Sequence, residues 1–222
     1  MNKSVYSLVL MDEVVEAIDK MAYAMNTSRS NLINQILADY ASCTTPESRM
    51  KDIFARVEEL VQGVDSFQVQ LQPSDAMMSI RSALRYKYKP TIRYSVELYR
   101  DARQVVGELR VTSRSQSQSL LEELDTFFRM WSRLESVYLG ALFPGGKIPS
   151  RIGEGRFRRQ FLLPRERDRQ TNEEVAQAIA DYIQLFDRGM KTYFQYSGDL
   201  STAAAQLESL YRAHLKAGIT VI

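Results

Sequence analysis

The chain has 222 residues, 45% hydrophobic and 25% charged, with a formal net charge of +2, a profile that excludes large-scale disorder and leaves room for one large or two small cores. Cys43 is its only cysteine, so no intramolecular disulfide can form, and the usage fits a reducing, cytoplasmic setting. No apolar run approaches the roughly 20 residues that a membrane helix needs, and the first residues lack the basic head and apolar core of a signal peptide, so no membrane partner is expected.

In chain order, Ser4 to Leu10 is a short β-prone segment with Tyr6, Leu8 and Leu10 on one face and Val5, Ser7 and Val9 on the other. Asp12 can cap a helix whose apolar stripe is Val14, Val15, Ile18, Met21, Ala22 and Met25. Asn26-Thr27-Ser28 breaks it, and Ser28 caps a second helix with the stripe Leu32, Ile33, Ile36, Leu37 and Tyr40. Thr45-Pro46-Glu47-Ser48 starts a third helix that Gly63 stops. Four alternating segments follow, marked by Phe67, Val69 and Leu71, by Ile80, Leu84, Tyr86 and Tyr88, by Ile92, Tyr94, Val96 and Leu98, and by Val105, Leu109 and Val111. They predict an antiparallel meander.

A long helix is expected from about Gln116 to Leu139, its stripe of Leu120, Leu121, Leu124, Phe127, Phe128, Trp131 and Leu134 suited to covering a sheet. The Gly- and Pro-containing stretch from Phe143 to Arg169 reads as a loop holding one strand, with Phe157 and Phe161 inward and the arginines of Arg156-Phe157-Arg158-Arg159 outward. Thr171-Asn172-Glu173-Glu174 is a capping box opening a further helix. Asp199 or Ser201 begins the last one, which carries Leu207, Leu210, Tyr211 and His214.

The text Ser7-Leu8-Val9-Leu10-x-x-Glu13-Val14, running into Ile18-Asp19 and then Asn26-Thr27-Ser28-Arg29-Ser30, resembles the ribbon-helix-helix family of the Arc and MetJ type over Val5 to Tyr40. That resemblance implies a homodimer, or a pair of dimers. Strands from two chains would form a ribbon that enters the major groove of double-stranded DNA. It places Val5, Ser7 and Val9 toward the bases and Tyr6, Leu8 and Leu10 in the core. Lys3, Ser28, Arg29 and Ser30 would meet phosphates, the last three at a helix N-terminus. Val5 and Val9 depart from the hydrogen-bonding or basic residues usual at such positions and are limited to apolar contact, for instance with a thymine methyl. The physical logic agrees, because one strand and two short helices cannot bury enough apolar area alone.

Charge is uneven along the chain. Residues 1–45 carry three basic against five acidic side chains, whereas Arg81 to Arg114 carry nine against three and Lys147 to Arg169 eight against three. On the second and third meander strands the face opposite the apolar one holds Arg81, Arg85, Lys87, Lys89 and Arg93, and the later run holds Arg158 and Arg159. These residues form either a solvated basic face or a secondary anion-binding surface.

Catalytic chemistry finds little supply. There is one histidine, His214, and no His/Cys cluster at metal-ligand spacing. Gly145-Gly146-Lys147 lacks the spacing of a phosphate loop, since Ile148 follows. Glu122 and Glu123 are adjacent on a helix and point apart. Neither an enzyme nor a cofactor is expected. The sequence predicts an α+β protein with a ribbon-helix-helix dimerisation and DNA-binding module over residues 1–44 and an antiparallel meander covered by helices over 45–222. The expected function is that of a bacterial-type repressor. The longer part has three open roles: sensing or oligomerisation, binding a protein partner as an antitoxin or a plasmid-maintenance or conjugation accessory factor does, and offering a second nucleic-acid surface.

Overall fold

A computed structural model describes residues 5–41, 43–64, 67–71, 74–87, 89–100, 104–164, 170–218 and 222. Among these residues the protein is a mixed α+β structure with six α-helices and a six-stranded antiparallel sheet that does not close on itself. The chain divides into two compact units, Met1–Arg49 and Met50–Ile222.

The first unit holds α1 (Asp12–Ala24), α2 (Arg29–Tyr40) and the start of α3 (Pro46–Gln62). Met11, not Asp12, is the N-cap of α1, and it makes no side-chain cap bond; Asp12 and Glu13 instead lie in the first turn, where their charge suits the helix dipole. Ser28 caps α2 as expected, its hydroxyl accepting from the Asn31 amide at 3.2 Å. Thr45 Oγ1 accepts from the Ser48 amide at 3.0 Å, which starts α3. Residues 5–10 differ from expectation: they carry no strand. A lone extended segment has no backbone partner of its own, and this unit supplies none within one chain.

The second unit is built on β1 (Phe67–Leu71), β2 (Met77–Ala83), β3 (Thr91–Leu98), β4 (Val105–Ser113), β5 (Ser150–Gly153) and β6 (Arg156–Leu162), in the spatial order β1-β2-β3-β4-β6-β5. The four-strand meander is as expected, except that β2 ends at Ala83, so Leu84 and Tyr86 lie in the connection to β3; Tyr88 is outside the described residues. The later loop holds two strands where one was expected. They are joined by Glu154-Gly155, both at positive φ (54° and 67°), the geometry that matches a two-residue turn to strand twist.

The helices α4 (Gln118–Tyr138), α5 (Asn172–Tyr196) and α6 (Leu200–Lys216) complete the unit. Ile80, Tyr94, Val96, Leu109, Val111, Phe157 and Phe161 share one sheet face and are fully or nearly fully buried. Helices α4 and α5 cover that face through stacked Phe128–Phe157 and edge-on Phe161–Tyr182 contacts. A Cβ at Gly189 of α5 would come within 2.4 Å of the Trp131 ring of α4, so only glycine allows this helix-to-indole approach. The Thr171–Glu174 capping box is formed in full, and Asp199 caps α6.

Arg159 corrects one expectation outright. Two-residue periodicity places it on the same face of β6 as Phe157 and Phe161, and it is 1% exposed. Its Nε donates to Glu135 Oε1 of α4 at 2.9 Å and its Nη1 to the Gln160 carbonyl at 3.1 Å, while the guanidinium lies 4.4 Å from the Tyr182 ring centre. Tyr182 Oη in turn accepts from Trp131 Nε1 at 3.1 Å. Burial lifts the Glu135 carboxyl above its ordinary value, with Arg159 and the Tyr182 hydroxyl opposing that rise. Arg159 therefore belongs to the core, its guanidinium engaged by Glu135, and is not part of a solvated basic face.

Removing one member of a buried pair strands the other's charge. Arg159→Met is expected to cost about 3–5 kcal/mol in urea unfolding followed by Trp131 fluorescence, and Arg159→Met with Glu135→Met to recover most of that loss. A double variant as unstable as the single one would show that the ion pair is not the source.

Candidate nucleic-acid interface

In the first unit the apolar stripes of the helices are only partly covered. Ala22 and Leu32 are its buried apolar residues, whereas Met21, Met25, Ile36, Leu37 and Tyr40, all from the expected core stripes, are exposed. Within residues 5–10 exposure follows parity. Val5 and Val9 are fully open (100% and 102%), while Tyr6, Leu8 and Leu10 fall through 83%, 60% and 40%. Ser7, on the side of the two valines, is exposed as well. The residues expected to face bases and those expected to face the core thus differ in exposure even in a single chain.

At the start of α2 the Ser28 hydroxyl takes the Asn31 amide and the Ser28 carbonyl takes the Leu32 amide at 3.0 Å. No hydrogen-bond acceptor lies against the amides of Arg29 and Ser30 among the described residues, and both residues are exposed. Helix termini leave such amides for water or an anion. The Arg29 guanidinium, expected to meet phosphate, forms an in-chain pair with Asp19 of α1 through Nε and Nη2. Both side chains are about half exposed, so the pair is weakly held and open to exchange for another anion. Lys3 lies outside the described residues.

The expected second basic surface is redistributed by the register of the sheet. Arg85, Lys87 and Lys89 sit in the connection between β2 and β3, and Lys89 adopts a positive φ of 43°. Arg93 and Arg158 do lie on the sheet face that α4 and α5 leave uncovered. There they are joined by residues that the sequence could not bring together: Arg81 stands directly opposite Arg93, Arg110 opposite Arg158, and Arg158 opposite Arg151. Glu97 and Glu108 share this face, and Arg110 bridges both, at 2.7 Å to Glu97 Oε2 and by a short contact to Glu108. Strand alternation could have placed each arginine on a face, but the cross-strand rows require the register.

His214 is half-buried, and desolvation holds its imidazole below its ordinary value. Among the described residues no group of three His, Cys, Asp or Glu side chains is placed to hold a metal ion, and no helix is long and apolar enough to cross a membrane. Compared with known proteins, the chain matches no family model, no curated protein and no solved structure.

Ser28→Ala removes the α2 cap and is expected to cost about 1 kcal/mol of stability by thermal or urea unfolding, whereas Ser28→Asp, an equally good cap, should cost nothing measurable. Equal losses in both variants would show that the hydroxyl has a role other than capping.

Proposed function

We propose that the protein is a homodimeric, sequence-specific DNA-binding regulator of repressor type that uses residues 5–40 as a ribbon-helix-helix module. The observation that carries this reading is the parity of exposure along residues 5–10. Pairing of this segment with its copy from a second chain would supply the missing backbone partners. It would turn Tyr6, Leu8 and Leu10 onto the exposed apolar residues of α1 and α2, and present Val5, Ser7 and Val9 to the major groove. The open amides of Arg29 and Ser30 would then meet the phosphate backbone, with Arg29 exchanging Asp19 for a phosphate oxygen. Direct base readout rests on Ser7, with Val5 and Val9 adding apolar contacts.

The principal alternative keeps the dimer and gives up the DNA: the module would only join two copies of the second unit, which would bind a protein partner. The net acidic charge of the first 45 residues favours that version, and Ser28→Asp separates the two. This variant keeps the cap while placing a carboxylate where a phosphate would sit, so its folding and dimerisation should persist while DNA binding is lost. Retained binding would reject the assigned phosphate contact.

Two further outcomes are expected. Sedimentation at micromolar concentration should give a dimer, and a stable, fully folded monomer would end the ribbon-helix-helix reading. In binding-site selection, Ser7→Ala and Val9→Lys should each alter the selected sequence, with Ser7 contributing about 1–3 kcal/mol of discrimination at most. An unchanged consensus for both would show that the segment does not read bases.

A further inference from the structure

The open face of the sheet carries a charge arrangement that the fold alone does not balance. Arg110 of β4, Arg158 of β6 and Arg151 of β5 occupy one cross-strand row, each directly opposite the next. Residues so paired have Cα atoms about 5 Å apart, and like charges at that spacing work against the sheet. Arg110 is relieved by Glu97 and Glu108, and Glu108 reaches Arg158 only at 4.0 Å. No ion-pair partner stands against Arg151 among the described residues. Both Arg151 and Arg158 are exposed, as is Arg156 one register further along.

This row borders a cleft of about 270 Å³, lined by Glu108 of β4, by Arg158, Arg159 and Gln160 of β6, and by Pro149, Ser150 and Arg151 at β5. Of these the Arg159 guanidinium is buried and engaged by Glu135, which leaves Arg151, Arg158 and Gln160 as the accessible donors. Gln160 stands opposite Glu108 and shares its face. The lining holds no aromatic ring, so nothing there is suited to stacking a base. Two guanidinium forks and one side-chain amide offer donors to several oxygens at once, and tetrahedral oxyanions can accept from both forks. The charge also matches: two arginines without a full counter-charge suit a doubly charged anion, while the Glu108 carboxylate is already engaged by Arg110. A volume near the lower end of ligand clefts admits a phosphoryl group with a small substituent.

We propose that this cleft, centred on Arg151, Arg158 and Gln160, binds the phosphoryl group of a small phosphorylated solute. Such a site would make the second unit a ligand-binding partner to whatever the first unit does, and it stands whether or not the first unit binds DNA.

The test uses the full-length protein and titration calorimetry at fixed ionic strength, with inorganic phosphate and pyrophosphate as probes. Wild type should bind saturably with one site per chain. Arg151→Gln with Arg158→Gln should weaken binding at least about tenfold. A charge-matched control, Arg133→Gln with Arg212→Gln on exposed positions of α4 and α6, should bind as wild type. Arg151→Lys, which keeps the charge and loses the planar fork, should also bind more weakly. Absence of saturable wild-type binding up to about 10 mM, at which a millimolar site would be mostly filled, would overturn the proposal, as would equal weakening in the control. A second arm measures duplex DNA binding against salt for wild type and the Arg151/Arg158 variant. An unchanged slope is expected for a small-solute site. A slope reduced by about 1.8, the effect of two phosphate contacts at about 0.9 each, would overturn the small solute and assign the row to a nucleic-acid backbone.

Discussion

Phe186 of α5 is surrounded by six aromatic rings, those of Tyr94, Phe127, Phe128, Trp131, Phe157 and Tyr182, with centroids 5.1 to 6.2 Å away. These rings come from β3, β6, α4 and α5, so one side chain ties two helices to strands that are distant in sequence. Edge-on and offset geometries of this kind add to the area buried. The cluster commits α4 and α5 to a single face of the sheet, and everything on the opposite face follows from that. Alternate residues of β2, β3, β4 and β6 that point away from the rings are left open, and these are the positions that hold Arg81, Arg93, Arg110 and Arg158.

The Arg159–Glu135 pair works within the same constraint. The alternation that sends Phe157 and Phe161 into the aromatic layer sends Arg159 there too, and the charge persists only because Glu135 and the Tyr182 ring meet it. Buried pairs are weak sources of stability but strict about geometry. Here the pair links β6 to α4, a few residues from the β5–β6 hairpin that carries Arg151 and Arg158. Core registry and surface chemistry on this edge of the sheet thus share one strand.

The first unit obeys the opposite logic. It has turns and amphipathic helices of ordinary quality, yet Ala22 and Leu32 alone of its apolar stripes are buried within one chain, and Met21, Met25, Ile36, Leu37 and Tyr40 stay exposed. These exposed apolar side chains are the surface on which the proposed dimer would rest. Local chemistry completes the helices of the first unit but leaves much of their apolar stripe exposed within one chain, whereas the second unit completes both by itself.

Much of this was legible in the residues. Ser28, Thr45, Thr171 and Asp199 announce helix starts because a capping oxygen acts within its own turn, and the meander strands announce themselves because burial on one face imposes a period of two. The mixed α+β class followed from those local signals. What they could not deliver is whatever depends on a distant partner. The hairpin of β5 and β6 was half hidden because a four-residue edge strand has too little pattern to read. Arg159 was read outward although alternation with Phe157 and Phe161 already turns it inward; what no local pattern supplies is the partner that makes a buried arginine tenable, Glu135, 24 residues away on α4. The rows Arg81–Arg93 and Arg110–Arg158–Arg151 exist only through register, which sets Arg81 beside Arg93 and, two residues along the sheet, Arg110 beside Arg158 and Arg151. The sequence determined by itself which segments fold as helices and strands and which residues alternate, since those are nearest-neighbour effects. Tertiary structure alone decided which charges meet, because that depends on how strands far apart in the chain align.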